Sequence, residues 1–512
     1  MNRSTASPPL LVFGLDAGDA DLILRWAGDG TLPHIGSIIR QGSYARTAGP
    51  ELVSEHGMWT SLTSGVSRAD HGYYYFRQLV PGTYDLAPAR GRHLNVEPFW
   101  QRLAPERRIA IVDVPDIAAP VPQAGFQLSE WATHYPYFDP SFYPEALRAQ
   151  VESEFGPQMV IHEQPKSDVA EDLEIYQRLK ERVKKKGKLC RSLLAAGQFD
   201  LVYIVFGECH TGGHQFWRYL SETGQAAPND PSGELSAALR TLYRDIDVEI
   251  GAILERQPPG ANVFIVTSVG LKSQWPAMGL TAALPFQFGL QVAPPLATRL
   301  DPLSVLRKML PQGVRNLLSA RLSQEAQERL ISDKFSKSTD WARTQVFSIP
   351  SYYSSQFRVN LKGREPQGIV QPGADYERAL NRLETELNQI IDPVTNRPAI
   401  KALYRIGDLF GGGPPGELPD LIAEWQDADH FVERVCHPAG DIVQAPCDFH
   451  RGSDHSQFGF VAGAGPDVKS AGDLGDISPL DLAPTFLALL RHESPSALPR
   501  EPLKELLMYH SL

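Results

Sequence analysis

The sequence predicts an α/β fold, with a mostly parallel central sheet flanked by helices and an inserted, mainly helical cap. Three observations carry that prediction. The first is the run PLLVFGL at residues 9–15, which ends at Asp16-Ala17-Gly18; an unbroken apolar run of that length is what a strand buried on both faces shows. The second is the return of the same strand-then-turn grammar at RRIAIVDVP (107–115), FDLVYIVFGECH (199–210), ANVFIVTSVG (261–270) and HSQFGFVAGAGP (455–466), at intervals long enough for helices. That alternation indicates parallel strands covered on both faces. The third is the stretch 274–340, which contains prolines and amphipathic patches such as VLRKMLPQGVRNLLSARLSQEAQERLI but no buried strand. It is the predicted cap, and it leaves 1–273 and 341–512 as the core domain.

Taken in order, the first strand is followed by helical periodicity from Asp21 to Ala27 and by GSIIRQGS, which closes on a glycine turn. Chemistry in open α/β sheets gathers at the carboxyl ends of strands. The exits at Asp16, at GECH and at Ser268 are therefore the first places to look. The lysine-rich run ERVKKKGKLCRSLL (181–194) reads as a solvated helix face. Gly411-Gly412-Gly413-Pro414-Pro415 lacks the strand-to-helix context of a phosphate cradle and reads as a turn.

Composition narrows the function classes. A net charge of −11 argues against a nucleic-acid-binding surface, because phosphate backbones demand an excess of Lys and Arg. No window reaches the roughly 18 uncharged apolar residues of a membrane span, and the apolar run after MNRSTASPP is too short for a signal peptide, so a cytoplasmic protein is expected. Cys190, Cys209, Cys436 and Cys447 form no CxxC pair and are too few for a disulfide framework in 512 residues. The partner expected is a small-molecule substrate, with no nucleic acid and no membrane; the oligomeric state is not legible.

Four ordered segments carry a resemblance. LLVFGLDAGDADLILRWAGDGTLPHIGSIIRQGSYA resembles the first segment of the type I phosphodiesterase and nucleotide pyrophosphatase branch of the alkaline phosphatase superfamily. MWTSLTSGVSRADHGYY resembles that branch's W-T-S-x-x-T-G-x-x-P-x-x-H-G element, with Ser64 and Arg68 at two of its positions. WARTQVFSIPSYYSSQFRVNLKGREPQGIV is similar to a bacterial subgroup of predicted phosphohydrolases or phosphomutases, and DHSQFGFVAGAGP to the closing His-x-x-x-G strand. The resemblance implies an alkaline-phosphatase-like sheet and a site with two metal ions. Its parts would be an Asp after the first strand, a Ser or Thr nucleophile, an Asp-x-x-x-His pair, an Asp-His pair and a final His. Two ions so held clamp the attacking and leaving oxygens of phosphoryl transfer.

Residue by residue, the implied site is altered. Asp16 holds the first position. Counting ten residues back from Gly65 puts Glu55 at the nucleophile position, and a slip of one would put Ser54 there. The Asp-x-x-x-His pair appears as His210 and His214, with His in place of Asp. Where the Asp-His pair should follow Ser268 the chain reads Val269-Gly270, and the final His is His455. The glycines at 212 and 213 leave open whether His210 and His214 share a helix or a tight loop. The other eleven histidines, His134 among them, lack this register and read as structural, with His56 and His450 nearest the site segments. Cys209 reads as a buried bystander.

Three imidazoles suit transition metals better than magnesium or calcium. The expected centre is one transition-metal ion, zinc first, with iron, copper or manganese as alternatives, held by His210, His214, His455 and Glu55, with Glu55 and Asp16 as the catalytic residues and Glu55, where it is not a ligand, as general base. Such a centre can activate water for hydrolysis or hold a redox metal. Three readings follow: a mononuclear metal enzyme acting on a small molecule without two-metal phosphoryl transfer; an orthodox phosphodiesterase or phosphatase using Ser54, with Asp448 or Asp454 as donors; and a non-catalytic binding protein whose site has decayed.

Overall fold

A computed structural model describes residues 7–54, 56–89, 96–117, 123–134, 139–164, 167–221, 228–295, 323–445, 452–491 and 498–508. Glu55, Asp448, His450 and residues 296–322 of the expected cap lie outside the described residues. The chain divides into two compact units: Met1–His71 with Gly91–Trp275 and Asp448–Leu512, and Gly72–Arg90 with Pro276–Cys447.

The first unit is built on a nine-stranded sheet. Its strands are β1 (Leu10–Leu15), β2 (Ser43–Thr47), β3 (Ile109–Val112), β4 (Gly125–Ser129), β5 (Ser141–Tyr143), β6 (Leu201–Phe206) and β7 (Asn262–Thr267). A short two-stranded sheet follows, in which β8 (Gly270–Ser273) pairs with β9 (Ser453–Ser456), before β10 (Gly459–Ala464) and β11 (Gly472–Ile477) complete the large one. The spatial order is β11-β2-β10-β7-β1-β6-β3-β4-β5. Only β5 and β10 run against the rest.

The apolar run that announced β1 is buried along its whole length because β1 lies mid-sheet, parallel to β6 on one side and β7 on the other. Successive side chains point to opposite faces. Leu11, Phe13 and Leu15 therefore enter one core, and Leu10 and Val12 the other. At about 25 cal/mol per Å² of buried apolar surface, these double-sided strands dominate the unit's stability.

Four helices place the residues that matter. Helix α1 (Ala20–Gly28) is capped by Asp19, whose carboxylate accepts from Leu22 N–H. Helix α2 is Met58–Ser64, and helix α3 runs 26 residues from Val169 to Leu194 behind a capping box of Asp168 and Glu171. Helix α4 (Glu208–Phe216) starts one residue after β6. It contains both Gly212 and Gly213, which settles helix over loop. A Cβ on Gly212 would come 2.6 Å from Leu242, and one on Gly213 would come 2.3 Å from Leu271, so close packing explains residues that helical propensity disfavours.

Two expectations need correction. The run 181–194 is only in part a solvated face: in α3, Lys184 and Lys188 are exposed, whereas Arg182 and Lys186 are fully buried against carboxylates. Residues 341–447, expected in the core domain, belong to the second unit. That unit is not mainly helical: it holds an antiparallel four-stranded sheet ordered Val346–Ile349, Ser355–Val359, Leu421–Trp425, Ile400–Arg405. The helices Met278–Gln287 and Ala374–Leu387 supply Leu280, Leu284, Leu380 and Leu383 to one core with Val346, Phe357 and Leu421 of that sheet. The described helices of the segment pack with strands too short to stand out in the sequence.

Candidate metal centre

Two elements of the first unit bring the centre together. Helix α4 carries His210 and His214 one turn apart, and β9 carries His455. His455 Nε2 lies 2.9 Å from His210 Nε2 and 3.2 Å from His214 Nε2. Among the described residues these three form the one group of His, Cys, Asp or Glu side chains placed to share an ion, with donor atoms all within 4.8 Å of one another.

The donor set fits a metal. Two imidazole nitrogens bound to one tetrahedral zinc at about 2.0–2.1 Å sit about 3.3 Å apart, close to the spacings here. Hydrogen placement points the same way. His210 Nδ1 lies 2.8 Å from Asp16 Oδ2, and an ionised carboxylate only accepts, so Nδ1 carries the proton and a neutral ring presents a lone pair at Nε2. A single hydrogen on His455 Nε2 cannot serve both of its short contacts. A cation among the three nitrogens accepts every lone pair at once.

Asp16 is spent on orienting that ring. Its Oδ1 accepts from Trp59 Nε1 at 2.7 Å and from Ser268 Oγ at 3.1 Å, while Oδ2 takes the His210 proton. Burial, the largest single influence, pushes its pKa up, and the interaction with His210 together with the Trp59 hydrogen bond outweighs it, so the carboxyl is held below the usual range. Asp16 therefore bonds the His210 ring and is not among the three clustered donors. His214 Nδ1 is held by Ser453 Oγ at 3.1 Å, so partners behind two of the three rings hold them to the centre.

Ala17, Leu52, Met58 and Val269 form a buried cluster of their own where the absent Asp-His pair would begin. A Cβ at position 270 would fall 2.6 Å from Ser456 Oγ and 2.8 Å from Asp19 Oδ2, so no larger side chain fits without displacement.

The segment before α2 is tightly held. Ser54 is buried, with a left-handed backbone (φ 56°), a conformation that non-glycine residues adopt at a cost and that gathers at functional sites. Arg68, at the position where the family element has Pro, donates to Ser54 O and Pro50 O, and Glu51 accepts from Ser67 Oγ and Arg68 N–H. Behind them His71 pairs with Ser61 Oγ at 2.8 Å, and burial pushes its pKa down to about 3, so it stays neutral. Cys209 is buried in the core and its thiol is pushed well above its ordinary pKa by burial, which suits a bystander.

One participant was missed: His134, read as structural, lies face to face on His210. Nothing in local sequence marked it, because its segment, 131–134, reaches α4 only through the fold.

Residues 10–284 match the sequence profile of the Type I phosphodiesterase / nucleotide pyrophosphatase family. The chain belongs to this family. It is thus an enzyme of a class of metal-dependent phosphodiesterases. No curated protein matches the chain. Among solved structures it is similar to murine ectonucleotide pyrophosphatase/phosphodiesterase 5 at 10% identity and a TM-score of 0.45, and to the human protein of that name at 11% and 0.44, covering 94% of this chain and 95% of each of those. The family assignment rests on the profile match alone. No helix among the described residues is long and apolar enough to cross a membrane.

Proposed function

We propose that the chain hydrolyses a phosphate ester of a small molecule at a centre built on a single transition-metal ion, with zinc the first choice. Family membership supports the phosphoester as substrate class and displaces the broader reading of an unspecified small molecule. One observation carries the single-ion reading: three imidazoles converge on one point while the adjoining position is packed with Val269, Met58, Leu52 and Ala17.

His210, His214 and His455 would hold the ion. When bound, a metal in such a set polarises a phosphoryl oxygen and lowers the pKa of water. The chain's own residues supply the rest. Asp16 and Ser453 hold the rings in register, and Trp59 and Ser268 keep Asp16 charged and fixed. Glu55 remains the proposed base or fourth ligand on sequence register alone. Ser54 is the competing candidate, as a nucleophile, and its strained, clamped backbone favours that second reading.

Metal analysis of the purified chain tests the centre: one tightly held ion per chain is expected, and two would overturn the single-ion reading. Turnover of bis(4-nitrophenyl) phosphate by Ser54→Ala and Glu55→Gln separates the two roles. Loss confined to Glu55→Gln supports the base, and loss confined to Ser54→Ala supports a covalent route.

A further inference from the structure

We propose that His134 is a positioning residue of the metal centre, fixing the plane of the His210 ring by face-to-face contact. The proposal rests on the three-histidine reading above. The two imidazoles lie 3.5 Å apart between centroids and 11° from parallel. His134 Nδ1 is 3.0 Å from Thr211 Oγ1, and Nε2 is 3.4 Å from Glu163 Oε1, whose side chain is 3% exposed. Both nitrogens face groups outside the donor set, so His134 offers His210 its flat face. A hydrogen bond from Nδ1 to Asp16 sets the His210 tautomer but leaves the ring free to tilt about that bond. A flat neighbour removes the tilt.

The way the chain holds residues 131–134 shows that this contact is built. Two ion pairs, Lys186–Asp113 at 3.0 Å and Arg182–Glu208 at 2.7 Å, have side chains with 0% exposure. Three of these four groups reach the 131–134 backbone. Asp113 accepts from Trp131 N–H at 2.8 Å and Ala132 N–H at 3.0 Å, Lys186 donates to Ala132 O at 2.9 Å, and Arg182 donates to Thr133 O at 3.3 Å. Buried ion pairs stabilise no better than apolar packing of the same volume. What they add here is direction, because each bond sets one peptide group of the segment. The fourth charge, Glu208, opens α4, the helix of His210. Gly207, just before it, would place a Cβ 2.6 Å from His134 N, so the segment rests directly on the turn that launches the ligand helix.

The test titrates cobalt(II) into metal-free full-length protein, following the visible ligand-field spectrum, with zinc(II) affinity from chelator competition. His134→Ala is expected to bind about 10–100-fold more weakly, with a shifted spectrum, and His134→Phe, which restores a flat ring without ring nitrogens, to return within about threefold of wild type, on the scale of outer-partner effects at metal sites. Unchanged affinity and spectrum in His134→Ala, or a Phe variant as weak as Ala, overturns the proposal. Should the Ala variant not fold, His134→Leu fills the volume without a flat face: Leu weak and Phe near wild type supports the role, and Leu equal to Phe overturns it. A wild-type chain that takes up neither metal overturns the three-histidine reading itself, an outcome distinct from wild-type binding that the variants leave unchanged.

Discussion

Three imidazoles, one of them bonded to Asp16, bring donor atoms within 4.8 Å of one another, while Ala17, Leu52, Met58 and Val269 form a separate buried apolar cluster. The histidines come from α4, which follows β6, and from β9, whereas Ala17 and Val269 follow β1 and β7. The histidines are underpinned by Asp16 and Ser453 behind two of the rings, whereas Val269 is buried among apolar side chains and Gly270 leaves no room for a larger side chain without displacement. A site merely losing function would leave donors without partners or a hollow. Here the histidines are held in detail and Val269 is packed among apolar side chains, which is what the proposed single-ion centre expects.

The sharpest way to break this comparison is to remove a direct donor. His214→Ala should abolish stoichiometric metal by elemental analysis and lower phosphodiester turnover by more than the about 10–100-fold that outer partners command. Retained metal would show that the three rings are not the holding set. Next in size, Val269→Asp places an unpaired charge in the apolar cluster and should cost about 3–5 kcal/mol of stability in urea titration. A stable variant that takes up a second ion would reveal the apolar side as a dormant site. Asp16→Asn keeps the shape but weakens the acceptor of the His210 proton, and metal affinity by chelator competition should fall about 10–100-fold with the fold intact. The smallest effect expected is from Ser453→Ala, which removes one neutral partner of His214 and should change affinity by about 0.5–1.5 kcal/mol, a factor of about 2–13. A loss larger than that of Asp16→Asn would invert the ranking of the two supports.

Long-range placement explains why some of this was legible in the chain and some was not. The buried strands at 10–15, 201–206 and 262–267 show as apolar runs because parallel strands covered on both faces need apolar side chains at every position. The short strands of the second unit show no such run. Arg182 and Lys186 look like members of a solvated lysine run, because sequence alone does not say which turn of α3 faces Asp113 and Glu208.

The sequence by itself determined the sheet, the family, the exits at which chemistry gathers, and the three histidines that keep family register, because these depend on local pattern and order. Only the tertiary structure decided what those residues do for one another. It set Asp16 against the His210 ring, made the glycines of α4 contact points, and laid His134 face to face on His210. Each of those outcomes depends on distances between residues up to 252 positions apart, as in the bond from Ser268 to Asp16, and no local periodicity encodes such a distance.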